Sequence, residues 1–137
     1  MERPIDHCFD YQLIVQPTDI DAMGHANNVV YLRWVQEAAA AHWNQIANTE
    51  IHQRYAWVVL RHEIDYLMPA FENEELIAST WIGRHHGATS ERFVQISNAA
   101  SGKILANAKT TWCLLDAATL KAKRIDAAIL EVFKSAS

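Results

Sequence analysis

Cysteine is scarce: Cys8 and Cys113 are the two in 137 residues, and they sit far apart, at no metal-binding or redox spacing. The chain opens on Glu2, Arg3, Pro4 and Asp6, without the basic and apolar regions of a secretory signal, so the expected compartment is a reducing cytoplasm. Cys113 lies in an apolar stretch and is expected to be an inert thiol. Long hydrophobic runs are missing too. A membrane helix needs about 20 nearly uninterrupted apolar residues, and the best stretch, Val29 to Ala47, is broken by Arg33, Glu37 and His42. Nor is there a basic excess: a net charge of -4 and a pI near 5.9 argue against a general nucleic-acid binder. Of the seven histidines, His85 and His86 are adjacent, on opposite faces of an extended chain, and no further ligand completes a site, so neither metal nor cofactor is expected.

With half its residues hydrophobic and no repeat, low-complexity tract or linker, the chain reads as one compact domain over 1–137. Phe9, Tyr11, Leu13 and Val15 alternate with polar residues as a half-buried strand, which Pro17 ends. Asn28 to about Ala47 reads as a helix, Ala-rich and apolar almost all round apart from a narrow stripe through Arg33, Gln36, Glu37 and Asn44. Tyr55 to Met68 reads as a long strand, with Val58, Leu60, Ile64, Tyr66 and Met68 on one face and Pro69 as its stop. Leu76 to Ile82, Arg92 to Asn98 and Ile104 to Leu115 follow as strands whose short links imply antiparallel neighbours. Asp126 caps a closing helix that ends at Phe133. One sheet wrapping one helix satisfies this order. A helix so apolar needs a second cover, which another subunit would provide.

The densest chemistry lies in Thr18 to Tyr31, TDIDAMGHANNVVY. Asn27 or Asn28 is a good N-cap, and Gly24 permits the sharp bend before it. The first helical turn leaves N–H groups unpaired at the positive end of the helix dipole, where an oxygen gaining negative charge could rest. Asp21 and His25, four apart, share one side of that entrance if the intervening residues form a helical turn. Taken singly, each residue has a plainer explanation: Asp21 and Asn27 as turn and cap, His25 and Tyr31 as packing.

Acid, Gly-His, the Asn pair and Tyr in this order resemble the signature of hotdog-fold thioesterases related to 4-hydroxybenzoyl-CoA thioesterase. The likeness continues through Tyr66-Leu67-Met68-Pro69, His86-Gly87-Ala88-Thr89-Ser90, and Asp116 with Thr119 and Lys121. It implies an α+β hotdog fold, a five-stranded antiparallel sheet around a long central helix with a short C-terminal helix. It also implies homodimers, in the family often assembled further into homotetramers, and hydrolysis of an acyl-CoA to free acid and CoA. Thiolate departs readily because thiols ionise near pH 8.5, roughly, so one carboxylate and an oxyanion hole can suffice.

The resemblance makes Asp21 the general base or nucleophile and His25 a second catalytic candidate, as in the related plant acyl-carrier thioesterases, whose preceding asparagine is Met23 here. Asn27, Asn28 and Tyr31 would position the motif and its backbone donors. Glu37 is the alternative carboxylate, since another hotdog branch carries its acid on the central helix, though a helix-face pair with Arg33 explains it equally. Cations for the CoA phosphates would come from Arg84, His85, Arg92, Lys121, Lys123 and Arg124, with Ser90 as a pocket residue. The alternatives are a thioesterase acting on acyl-carrier protein, which would need a basic docking face, or a non-catalytic acyl-binding hotdog domain.

Overall fold

The computed structural model describes residues 1–135. Its elements run β1 (Phe9–Ile14), a 3-10 turn at Pro17–Asp19, α1 (Asn28–Ile46), α2 (Thr49–Arg54), β2 (Tyr55–Tyr66), β3 (Glu75–His86), β4 (Thr89–Asn98), β5 (Ile104–Asp116) and α3 (Ala127–Lys134). The five strands form one antiparallel sheet, as expected, and their order in it is β1-β3-β4-β5-β2.

α1 starts where Asn27 accepts a bond from Val29 N at 2.9 Å, and it buries Tyr31, Trp34, Val35, Ala38 and His42, a 3.6-residue stripe laid on the sheet. Facing it are Val15, Leu76, Ala78, Val94, Ile96, Ala106 and Ala108, each buried and worth up to about 1.5–3 kcal/mol for the larger side chains. The outward side of α1 is less apolar than its composition suggests: Arg33, Gln36, Ala40, Asn44 and Gln45 occupy it, and Val29, 69% exposed, is its large apolar residue. The helix face therefore does not by itself demand a second subunit.

Among the described residues β2 pairs with β5 alone, leaving its other edge open. Its register shifts between Val59 and Arg61, and this bulge inverts the pleat. Trp57 and Val59 therefore turn inward before the bulge and His62 and Ile64 after it, while Val58 and Leu60 are exposed at 40% and 59%. Strict alternation along 55–68 had put Val58 and Leu60 with Ile64. The strand also ends at Tyr66, and a short helix, α2, precedes it with Asn48 accepting from Ile51 N.

At the C-terminal end of α1 a second cluster forms under α3. Asp126 caps that helix at Ile129 N, Ile129 is fully buried, and Phe133 stacks on Trp57 with Trp43 edge-on to both.

Candidate active site

Before α1, Asp21 N donates to His25 O, Gly24 N to Asp21 O and Ala26 N to Ala70 O, so residues 20–26 close a tight turn anchored to the middle of the β2–β3 connection. Gly24 takes φ +84°, a conformation that side chains resist. Asp21 is half-buried; its Oδ1 accepts from Met23 N at 2.8 Å, and among the described residues Oδ2 has no hydrogen-bond partner. The amides of Met23, Gly24, Ala26, Asn27, Val29 and Val30 are used within the fold, whereas among the described residues those of Ala22, His25 and Asn28 have no hydrogen-bond partner. His25 is half-buried with Nδ1 3.3 Å from Ala26 O.

The neighbouring acid, Asp19, has a different fate. It is 2% exposed, accepts from Gln16 N, and pairs with Arg33 at 2.9 Å. Arg33 also holds Glu37 at 3.2 Å, and Tyr11 donates to the same carboxylate at 3.4 Å, so Glu37 belongs to a structural network beside the motif. Tyr31 is buried, donates to Met68 O, and meets Trp34 and Tyr66 edge to face. Tyr66 in turn donates to Asn28 O, which ties the far end of β2 to the helix start. Tyr31 is an anchor; burial pushes its phenol up.

An aromatic-lined cavity lies elsewhere. About 290 Å³ in volume, it is lined by Ala39, Ala40, Trp43, Asn44, His52, Tyr55, Ala56, Trp57, Ile82, Ser90, Arg92, Trp112 and Phe133. Its helix wall, Ala39 to Asn44, is the C-terminal part of α1, about 17–24 Å from Asn28 along the axis at roughly 1.5 Å per residue. The chemistry-bearing residues thus divide between two ends of the molecule.

The cation candidates gather at the cavity end. Ile125 N donates to Gly87 O, laying the segment with Lys121, Lys123 and Arg124 against the β3–β4 hairpin, beside which Arg84 and His85 are exposed. Lys123 Nζ lies 5.8 Å from the ring centroid of Tyr55. Arg92 is not a surface cation: it is 7% exposed, because it shares the inward face of β4 with Ser90, Val94 and Ile96. Its Nη1 donates to His42 Nδ1 at 2.8 Å and to Thr80 Oγ1 at 3.0 Å. Of the five tryptophans that could shape a pocket, Trp43, Trp57 and Trp112 line the cavity. His42 is the residue sequence reasoning missed; its spacing, four after Ala38 and seven after Val35, is the available signal.

The sequence pattern of the thioesterase-like superfamily matches residues 15–133, which takes in both the Asp21 turn and the cavity up to Phe133. The chain belongs to that superfamily. As a member of it, it is by class a thioester hydrolase on a hotdog fold. It is 26% identical over 125 residues to the long-chain acyl-CoA thioesterase FadM of Escherichia coli, covering 88% of this chain and 92% of that one. A thioesterase-superfamily protein from Jannaschia sp. CCS1 superposes with a TM-score of 0.89 at 18% identity, covering 98% and 95% of the two chains. A 1,4-dihydroxy-2-naphthoyl-CoA thioesterase from Synechocystis gives 0.81 at 20%, covering 93% and 96%. These two likenesses establish the hotdog architecture. No helix among the described residues is long and apolar enough to cross a membrane.

Proposed function

We propose that this member of the superfamily hydrolyses acyl-CoA thioesters, with Asp21 as general base or nucleophile and the N–H groups of His25 and Asn28 receiving the carbonyl oxygen. The observation that carries this is the divided carboxylate of Asp21. One oxygen is fixed by Met23 N, which sets the side chain's direction, and the other is uncommitted. The amides of His25 and Asn28 lie in the same segment, Asn28 as the first residue of α1, where the helix dipole favours negative charge. His25 would orient the water or the thioester. The relative named for long-chain acyl-CoA points to CoA as the donor.

The site is completed by a second copy. Pairing two β2 edges antiparallel about a two-fold axis sets the Tyr66 end of one strand beside the Tyr55 end of the other. Tyr66 bonds to the start of α1 and Tyr55 lines the cavity, so each copy's Asp21 turn would approach its partner's cavity and cation cluster. The exposed Val58 and Leu60 lie on that edge.

The test is thiol release from short, long and aromatic acyl-CoAs, and from the matching acyl-carrier-protein thioesters, by the native protein and Asp21→Asn. Asn keeps the bond to Met23 N but cannot accept a proton, so turnover should fall about 10²–10⁴-fold. Undiminished turnover in the variant would remove Asp21 from the chemistry, and absence of turnover on every donor would leave an acyl-binding protein.

A further inference from the structure

The cavity's polar floor is unusual in its charge. Arg92 is 7% exposed, and among the described residues no carboxylate pairs with it; its neighbours are the neutral His42 and a threonine hydroxyl. A guanidinium only donates, so the His42 nitrogen facing it must accept, which puts the imidazole proton on Nε2 and leaves that ring uncharged. The nearest partner therefore cancels none of the arginine's charge. Nη1 makes both bonds; among the described residues Nη2 and Nε make none, on a side chain that lines the cavity wall. Ser90, 5% exposed and lining the same wall, has a hydroxyl without a hydrogen-bond partner among the described residues. The rings of Trp43, Trp57 and Phe133 line the same cavity.

A buried cation without a counter-ion is costly, and the group that relieves it here must enter through the cavity. Desolvation draws Arg92 down from its usual value to about 10, still above neutrality, so the charge persists. The space suits an organic body: a cavity of about 150 Å³ holds benzene, and this one, near 290 Å³, holds a ring with a short chain.

We propose that this cavity is a binding site for an organic anion, its carboxylate seated on the Arg92 guanidinium and the Ser90 hydroxyl and its apolar or aromatic body held among Trp43, Trp57 and Phe133. The carboxylate has two sources, a free acid or the far end of an acyl group that itself bears an acid. The second source rests on the hydrolase reading above; the binding site does not.

Binding is read by quenching of tryptophan fluorescence, with 4-phenylbutyrate and its neutral counterpart 4-phenylbutanol as probes and no thioester present. The acid should bind about tenfold or more tightly than the alcohol. Ser90→Ala, too small a change to unfold the chain, should narrow that preference, and Arg92→Gln should abolish it. Ala40→Trp, at an exposed position on the cavity rim, should block both probes. Equal affinity for acid and alcohol in the native protein, or a preference unaffected by either floor variant, overturns the proposal, as does an absence of binding. With an acyl-CoA present, 4-phenylbutyrate that raises KM alone identifies the cavity with the acyl end of the substrate, and one that lowers kcat alone identifies a separate free-acid site. Each of these two results supports an anion site. Acid binding that persists in a protein unable to hydrolyse any thioester refutes the hydrolase reading only.

Discussion

Arg92 Nη1 stands 2.8 Å from His42 Nδ1, joining the middle of the sheet to the buried side of α1 through a bond that requires an uncharged imidazole. Burial, then the arginine's charge, draws His42 down from 6.5 to about 4. Because the folded value is the lower one, the unfolded chain takes up the proton first as pH falls, and stability is lost between about 6.5 and 4. The loss from this residue reaches on the order of 3 kcal/mol once both states are protonated. His62, drawn down by burial against Thr110, adds to it in the same direction. Urea midpoints should be flat above pH 7 and fall toward pH 5. His42→Gln, which can still accept from Arg92 but does not titrate, should shallow that slope; an identical slope would show that His42 does not set it.

Two aspartates separated by one residue should behave in opposite ways. Asp19→Asn removes the buried charge that holds Arg33 and should cost about 1–3 kcal/mol of stability, visible as a lower thermal midpoint. Asp21→Asn keeps its bond to Met23 N and should leave the midpoint unchanged while turnover collapses. A variant of Asp21 that unfolds as readily as one of Asp19 would make it a turn residue and nothing more.

Much of this was legible because the residues obey one period at a time. Phe9 to Val15 alternates cleanly, and Tyr31, Trp34, Val35 and Ala38 repeat with the helix, so strand one and α1 were readable to within a residue or two. β2 was misread in its faces because one extra residue at Leu60 inverts a two-residue pattern, and nothing in the local composition marks the bulge. α2 has six residues and is set by the Asn48 cap, too short for a period to emerge. At the site, the Asp21 turn was visible as a contiguous string, whereas the Arg92–His42 contact joins residues fifty positions apart and exists only through the fold. Arg92 looked like a surface cation because charge was weighed ahead of strand parity; Val94 and Ile96 on the same parity pointed inward.

The open edge of β2 should be where two copies meet. Val58→Lys with Leu60→Lys places two charges on that exposed apolar edge, a device that natural sheets use to prevent pairing. Light scattering should show the native chain as a dimer or larger and the double variant as a monomer that keeps its helical and sheet signal. Because the proposed site spans two copies, thiol release should disappear with the dimer. A folded monomer with full activity would place the whole site within one chain.

Mixing two dead variants gives the sharpest test of where the site lies. Asp21→Asn removes the carboxylate at one end of α1, and Ala40→Trp blocks the cavity at the other. If each site takes its turn from one copy and its cavity from the other, a mixed dimer contains one site with both defects and one with neither. Random exchange makes about half of all dimers mixed, so co-refolding equal amounts should restore about a quarter of native activity. If turn and cavity act within the same chain, every chain in the mixture carries a defect and nothing is restored. The measurement needs only thiol release before and after exchange, with each variant alone as its own control.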